Sequence, residues 1–378
     1  MSDPRPGEPI AKRLEKGFKH AAQRTLSLLA SRRGPVGSYA TDPASIKSVM
    51  VIRQHNQFGD VLCTIPLLKA LRTRFNLERL SVVVSPQNKS ALAGCEYVTE
   101  LINYDKLSFY KKPSLFIRFV RQMRRGYDVL LVPSNVSLSL TNDVMAYFVK
   151  AKVKIGPASL ESSSNRTSSV YDIPVGLRWE GRIVHQYYRN MKVAEPLGIT
   201  MSNETALMEY LPDESALLEV ADLLRRSGKG GARKVALHAG AGKVPNRWKA
   251  SNFAQLGVAL HDELKAHLFV TEGPMDHETI DELAAKLKAP FVRVRNRAIS
   301  FVAALLKMMD LVITNDTGIM HLAAAVGTPT LSLFGPTDPL QWAPLGEQHR
   351  FIFGKGGDIN TIGVDKTLAL AKKLLQTT

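Results

Sequence analysis

Residues 311–335, LVITNDTGIMHLAAAVGTPTLSLFG, constrain the fold of this chain more than any other stretch. An apolar run (Leu311, Val312, Ile313), a polar turn (Asn315, Asp316, Thr317, Gly318), a short Ala-rich stretch and a second apolar run fit into 25 residues. In an alternating α/β pattern that order reads as strand, turn, helix, strand. The turn then lies at the carboxyl end of a strand and opens a helix. Free backbone N–H groups and the helix dipole favour an anion there, and open α/β sheets bind their ligands at that edge. Thr317 adds a hydroxyl donor, Gly318 permits close backbone approach, and His321 stands one turn into the helix. The combination suits a diphosphate.

The rest of the chain repeats the same alternation. A first series begins with a strand at 48–52, a loop at 53–59 and a helix from about 60 to 75, in which Pro66 marks either a kink or the true start. Further strands are expected at 80–84, 128–132 and 153–155, with helices at 114–125, 144–151 and 181–197. After a break near residue 205, a second series runs through a helix at 213–227 and strands at 234–238, 267–270 and 291–294. Helices separate these strands, the opening segment follows, and a last helix spans 367–375. At 378 residues the chain suits two domains. The expected architecture is therefore α/β: two doubly wound, Rossmann-like domains at 46–205 and 206–378, facing across a cleft.

Charge points to an anionic partner. Lys and Arg number 50 against 34 Asp and Glu, a net charge of +16, which fits nucleic acid, phospholipid or a phosphorylated glycan. Residues 1–33 alone carry a net +5. On a helical wheel of 10–29, Ile10, Leu14, Phe18, Ala21, Ala22, Leu28 and Leu29 fall on one side, and Lys12, Arg13, Lys16, Lys19 and Arg24 on the other. Such a basic amphipathic helix reads as a membrane-surface contact, as a helix packed on the body of the protein, or as a disordered basic arm. A linker is expected up to residue 45. With no apolar run near the ~18 residues that cross a bilayer, no signal-peptide core and only Cys63 and Cys95, the expectation is a cytoplasmic protein, peripheral at most.

The turns carry the chemistry. Asp60, at the start of the first helix, is open to two readings, an N-cap or a general base at the lip of a cleft. His55, in Gln54-His55-Asn56-Gln57, reads as a base, a substrate contact or a solvated loop residue. The run HAGAGK at 238–243 is not a P-loop, since Leu237 and Val244 stand at the first glycine and the hydroxyl position. Nor is it a dinucleotide fingerprint, because Pro245 replaces the third glycine. What remains is a glycine-bearing turn that places Lys243 and Arg247 near a diphosphate, or a surface loop with Trp248 in the core. Glu272 follows another strand, where a carboxylate could meet a ribose diol. Arg121 and Arg124 belong to a basic run on a helix, either solvated or open to an anionic acceptor. There is no Asp-x-Asp pair and no zinc-type Cys/His spacing, so no metal and no cofactor are expected. An oxidoreductase lacks its glycine fingerprint and following acid in both domains. A nucleic-acid-binding protein remains as a reading of the charge alone.

Taken together, GDVLCTIPLLKALR at 59–72, HAGAGKVPNRW, EGPMDHE, and NDTGIMHLAAAVGTPTLSLFGPTDPLQWAPLG at 315–346 resemble glycosyltransferase family 9, the ADP-heptose:lipopolysaccharide heptosyltransferases. The resemblance runs from about residue 49 to the C-terminus. It implies a GT-B fold, an anionic glycolipid acceptor on the first domain, and a nucleotide-sugar donor, ADP-heptose, on the second. By position, Asp60 resembles the catalytic base. Asp316, Thr317, Gly318 and His321 resemble donor contacts, and Glu272 the ribose-binding carboxylate. Where the family often has Lys two residues before the Trp, this chain has Asn246, which leaves Lys243 or Arg247 to supply charge. His55 and Asn56 stand where the family has small residues, and with Arg121 and Arg124 they are the candidate acceptor contacts. The implied reaction is an inverting, metal-independent transfer. The alternatives are another nucleotide sugar or a glycan outside lipopolysaccharide.

Overall fold

In the computed structural model the described residues are 10–31, 43–54, 57–134, 136–200, 207–228 and 231–377. His55, Asn56, most of the expected linker and the expected break near 205 lie outside them.

The first sheet is assembled from β1 (Ser48–Ile52), β2 (Arg79–Val84), β3 (Glu100–Asn103), β4 (Tyr127–Leu131), β5 (Ala151–Leu160), β6 (Ser163–Ser164) and β7 (Ile173–Leu177). Its order is β3-β2-β1-β4-β5-β6, with β7 parallel to β5 and the short β6 the one antiparallel neighbour. Helices α1 (Ile10–Ser31), α2 (Phe58–Leu62), α3 (Ile65–Arg74), α4 (Lys106–Lys111), α5 (Pro113–Met123), α6 (Leu140–Phe148) and α7 (Gln186–Met191) accompany it.

The second half follows with α8 (Glu214–Arg226), β8 (Lys234–His238), α9 (Ala250–Leu264), β9 (His267–Glu272), α10 (His277–Lys286), β10 (Phe291–Arg295), α11 (Ile299–Lys307), β11 (Leu311–Asn315), α12 (Gly318–Ala325), β12 (Thr330–Phe334), α13 (Pro339–Trp342), β13 (His349–Phe353) and α14 (Val364–Thr377). Its six strands, ordered β10-β9-β8-β11-β12-β13, pair in parallel throughout.

Both sheets are doubly wound, and the topological switch lies between β1 and β4 in one and between β8 and β11 in the other. The central strands are buried on both faces, Val49–Ile52 and Leu311–Ile313 to 0% exposure, as parallel strands covered by helices must be. The carboxyl ends at these switch points carry the 53–60, 239–247 and 315–318 segments.

Pro66 does both things its position allows. The helix expected from 60 to 75 is two helices, because Pro66 sits in the first turn of α3 and the chain turns at Cys63–Thr64. The helix expected at 181–197 reduces to α7 and a 3-10 turn ending at Leu197, since Pro196 has no N–H to continue an α-helix.

In α1, whose side chains are described from His20, the packed residues are Leu26 and Ala30. They join the cluster that covers Met50, Ile52 and Leu130 together with α5 and α6. Leu28 and Leu29, assigned to the apolar side, remain exposed. No described helix is long and apolar enough to cross a membrane.

One hydrophobic cluster joins the two halves. It runs from Val61, Leu62 and Leu68 through Tyr210 to Leu305, Leu322 and Val326. Backbone hydrogen bonds from Tyr210 to Ala325 and from Leu211 to Gly94 pin the connecting segment between them.

Candidate functional site

The amino ends of α2 and α12 meet where the two sheets face each other. Thr317 is the N-cap of α12, and its side chain makes no capping hydrogen bond, so the first-turn N–H groups keep their donor capacity. Opposite, Gln57 is the N-cap of α2 and Asp60 lies three residues inside, which removes the N-cap reading of Asp60. Its backbone carbonyl accepts from Arg53 Nη2 at 3.2 Å and from Thr64 Oγ1 at 3.2 Å. Its side-chain Oδ1 is buried and has no partner among the described residues. Burial raises this carboxyl above the ordinary carboxylate value, against the lowering influence of Arg53, then of Gln186 and Lys243. A buried carboxylate with an uncommitted oxygen, at the junction of the two halves, suits general-base chemistry.

On the facing side Asp316 Oδ2 accepts from Asn246 Nδ2 at 3.0 Å, and the same amide reaches Thr337 Oγ1 at 3.2 Å. Burial raises the Asp316 carboxyl too. Thr337 and Lys243 lower it, and the charge on Asp60 raises it further. Lys243, itself exposed, therefore acts on both carboxylates, and the three form one electrostatic group across the interface. The glycine-bearing loop that carries Lys243 is held by Asn315, fully buried at the end of β11. Its Nδ2 donates to the carbonyls of Ala239 (2.8 Å) and Gly240 (3.2 Å), and its Oδ1 accepts from Trp248 N–H at 3.2 Å. Trp248 is wholly buried and donates from Nε1 to Ile362 O at 3.0 Å, so core packing and site formation share this loop. Arg247 is spent on it as well, donating from Nε to Ala241 O at 2.8 Å.

His321 is 2% exposed, with Nδ1 3.6 Å from Cys63 Sγ. Burial, then His185, holds its pKa down to about 3. It is therefore neutral at physiological pH, and any help to a leaving group is a hydrogen bond rather than a charge. His185 ties the halves a second time, donating from Nε2 to Ala343 O at 2.8 Å.

The structure thus brings together Asp60, Lys243, Asp316, Thr317, Gly318 and His321. It does not bring Arg121 and Arg124 to them; these lie on and just after α5, on the outer side of the first sheet. Glu272 ends β9 with a fully buried side chain. Arg293 Nε donates to Oε2 at 2.5 Å and Arg295 Nε to Oε1 at 3.1 Å, and His277 also contacts Oε1, so a ribose diol would share a carboxylate already clamped to β10. Sequence reasoning missed Arg53, Asn246 as a ligand of Asp316, and Asn315 as the loop's anchor. For Arg53 and Asn315 the signal was a place at or just after the carboxyl end of a switch-point strand, whereas Asn246 lies well past β8 in the 3-10 turn before Trp248 and carried no such signal.

Two Rossmann-like domains that face each other across the carboxyl ends of their strands define the GT-B fold. The chain belongs to glycosyltransferase family 9 (heptosyltransferase), whose model matches residues 116–363. It is 25% identical to lipopolysaccharide heptosyltransferase 3 of Escherichia coli over 295 residues, 76% of this chain and 83% of that protein. Against lipopolysaccharide heptosyltransferase 2 of E. coli K12 identity is 32% over 111 residues, 28% of this chain and 32% of that one. The glycosyl transferase family 9 structure from Veillonella parvula superposes with a TM-score of 0.76 at 20% identity, covering 90% of this chain and 100% of its own. The E. coli ADP-heptose lipopolysaccharide heptosyltransferase II gives 0.71 at 20% identity, over 87% and 99%.

Proposed function

We propose that the enzyme transfers heptose, with inversion, from ADP-heptose to a lipopolysaccharide core or similar anionic glycolipid, without a metal ion. The unit at 46–205 binds the acceptor and the unit at 206–378 the donor. Asp60 takes the proton from the acceptor hydroxyl, and that oxygen attacks the anomeric carbon opposite the bond to the diphosphate. The bond breaks with its electron pair leaving on the diphosphate oxygen. The developing charge is met by the Thr317 and Gly318 amides, by Lys243, and by a hydrogen bond from neutral His321. Asp316 orders this side through Asn246 and contacts the sugar. Glu272 lies toward the ribose, and Arg247 acts through the loop it holds. Burial strengthens Asp60 as a base, and the shared cluster between the halves keeps water from the donor.

The observation that carries this reading is the uncommitted, buried Asp60 oxygen in electrostatic reach of Lys243 and Asp316. The donor follows from the family and from the nucleotide sugar named for the E. coli relative. The acceptor follows from the family and the +16 charge. The protein works on the cytoplasmic face of the membrane, touching it through residues 10–29.

The test is Asp60→Ala with ADP-heptose. Stabilisation by the donor is retained and transfer falls by about 10²–10⁴-fold; near-normal turnover would remove Asp60 from the role. Thermal shifts against ADP-, UDP- and GDP-sugars check the nucleotide, and a larger shift with UDP or GDP sugars would overturn the ADP assignment.

A further inference from the structure

A groove of about 950 Å³ lies at the carboxyl edge of the first sheet, within the ~300–1,000 Å³ typical of ligand pockets. Phe116 and Val120 of α5, Val144 and Phe148 of α6 and Ala22 of α1 line it, as does Gln54. Its lip is apolar, with Phe116 50% and Phe148 52% exposed, and an apolar cavity with an exposed apolar mouth is a feature of ligand-binding grooves.

Around α5 the surface changes sign next to this lip. At about 100° per residue, Arg124, Ile117 and Arg121 follow Val120 by about 40°, 60° and 100°. Arg121 and Arg124 are exposed and make no ion pair among the described residues, whereas their neighbour Arg125 is held by Glu100. Gln54 belongs to the segment between β1 and Asp60, and its Nε2 donates to Ser139 Oγ, the N-cap of α6, at 3.4 Å. An apolar trough is thus bordered by two guanidinium groups that make no ion pair among the described residues, and its lining includes Gln54, just after β1 on the chain that leads to the proposed base.

We propose that this groove seats an acyl chain of the lipid-borne acceptor, with Arg121 and Arg124 on the lipid's phosphate groups and the glycan head directed past Gln54 toward Asp60. The occupant follows from the pairing of chemistries: an anionic amphiphile presents an apolar tail beside a negative head, which is the sequence of surfaces found here. The assignment rests on the glycolipid-acceptor reading given above, and it gives Arg121 and Arg124 a place in acceptor binding although they are remote from the α2–α12 junction.

The test uses the full-length protein and a series of octyl, decyl and dodecyl phosphate below their micelle concentrations, with binding read by calorimetry. Affinity should rise several-fold per methylene, with about four-fold as the full-burial limit. Val144→Trp, which fills the trough, and Phe116→Glu, at the half-exposed lip, should each flatten that dependence while stabilisation by ADP is unchanged. The double variant Arg121→Gln/Arg124→Gln should lower affinity at every chain length and keep the slope. Affinity independent of chain length, or wild-type binding by both groove variants, would overturn the proposal. So would an equal loss of binding to phosphatidylglycerol vesicles in both groove variants, since the groove would then be a general bilayer anchor. The measurement needs no sugar donor, so its failure leaves the transferase reading standing, and failure of Asp60→Ala to lose transfer leaves the groove standing.

Discussion

Gly59 and Gly318 meet face to face where α2 and α12 abut. A Cβ on Gly59 would stand 2.8 Å from His321 Cδ2 and 3.4 Å from Gly318 Cα, and one on Gly318 would stand 2.8 Å from Phe58 Cδ1 and 3.4 Å from Gly59 N. Neither glycine has a positive φ, so proximity rather than backbone conformation excludes a side chain. The two helix termini that would hold donor and base touch through these hydrogens.

Alanine at either position should therefore separate the two termini. Gly318→Ala and Gly59→Ala are expected to cost about 1–3 kcal/mol by overpacking and to lower kcat by more than that loss of stability explains. Urea unfolding and initial rates, measured on the same preparations, check this. Variants with unchanged rates would mean that the contact has no bearing on the reaction.

Lys243 lowers both carboxylates, so its removal should move a pH profile in a fixed direction. With Lys243→Met, Asp60 takes up its proton at higher pH, and the acid limb of kcat moves up. Donor KM should rise as well, since a cation facing the diphosphate is lost. An acid limb that stays in place would separate Lys243 from the base.

Asn246 holds Asp316 through a neutral amide at 3.0 Å. Asn246→Asp puts two carboxylates at that distance, and like charges so close cannot both ionise without cost. Donor affinity should fall by roughly 10–100-fold, corresponding to about 1–3 kcal/mol for a broken buried hydrogen bond, with kcat less affected. Calorimetric titration with ADP-heptose is the measurement, and an unchanged affinity would exclude Asp316 from donor binding.

His321 makes stability depend on acid. Its folded-state pKa is held to about 3 against an ordinary 6.5, so between those values the unfolded chain binds a proton that the folded chain refuses. Stability is whole above about pH 6.5 and falls as pH drops, by at most about 1.4 kcal/mol per pH unit from this one group. His185 and His349, each held to about 4, add in the same sense. Urea midpoints between pH 7 and 5 should decline less steeply in His321→Gln than in the parent, and equal slopes would contradict the assignment of a neutral, buried imidazole.

Much of the fold was legible because parallel strands buried on both faces are apolar runs that glycine and proline punctuate. β1, β8, β11 and β12 lie within a residue or two of their expected positions. β3, four residues reading Glu-Leu-Ile-Asn, and β13, an edge strand with Arg350 and Phe351 turned outward, escaped notice. Short edge strands have too little burial to leave a pattern. In α1 the helical period was correct, but the wheel could not say which apolar residues the body of the protein would cover. Leu26 and Ala30 are covered, and Leu28 and Leu29 are not.

The sequence alone determined the alternation of strands and helices, the position of Asp60, and the helix terminus at Thr317–Gly318, because each depends on residues close together in the chain. Only the tertiary structure decided what these features face. It set Lys243 between two carboxylates, committed Arg247 to its own loop, clamped Glu272 to β10 and pressed Gly59 onto Gly318. The loop and strand pairings of the second domain fix Arg247 and Glu272, while the packing of one domain against the other fixes the Lys243–Asp60 and Gly59–Gly318 relations between residues far apart in the chain, and a pattern of residue types shows neither.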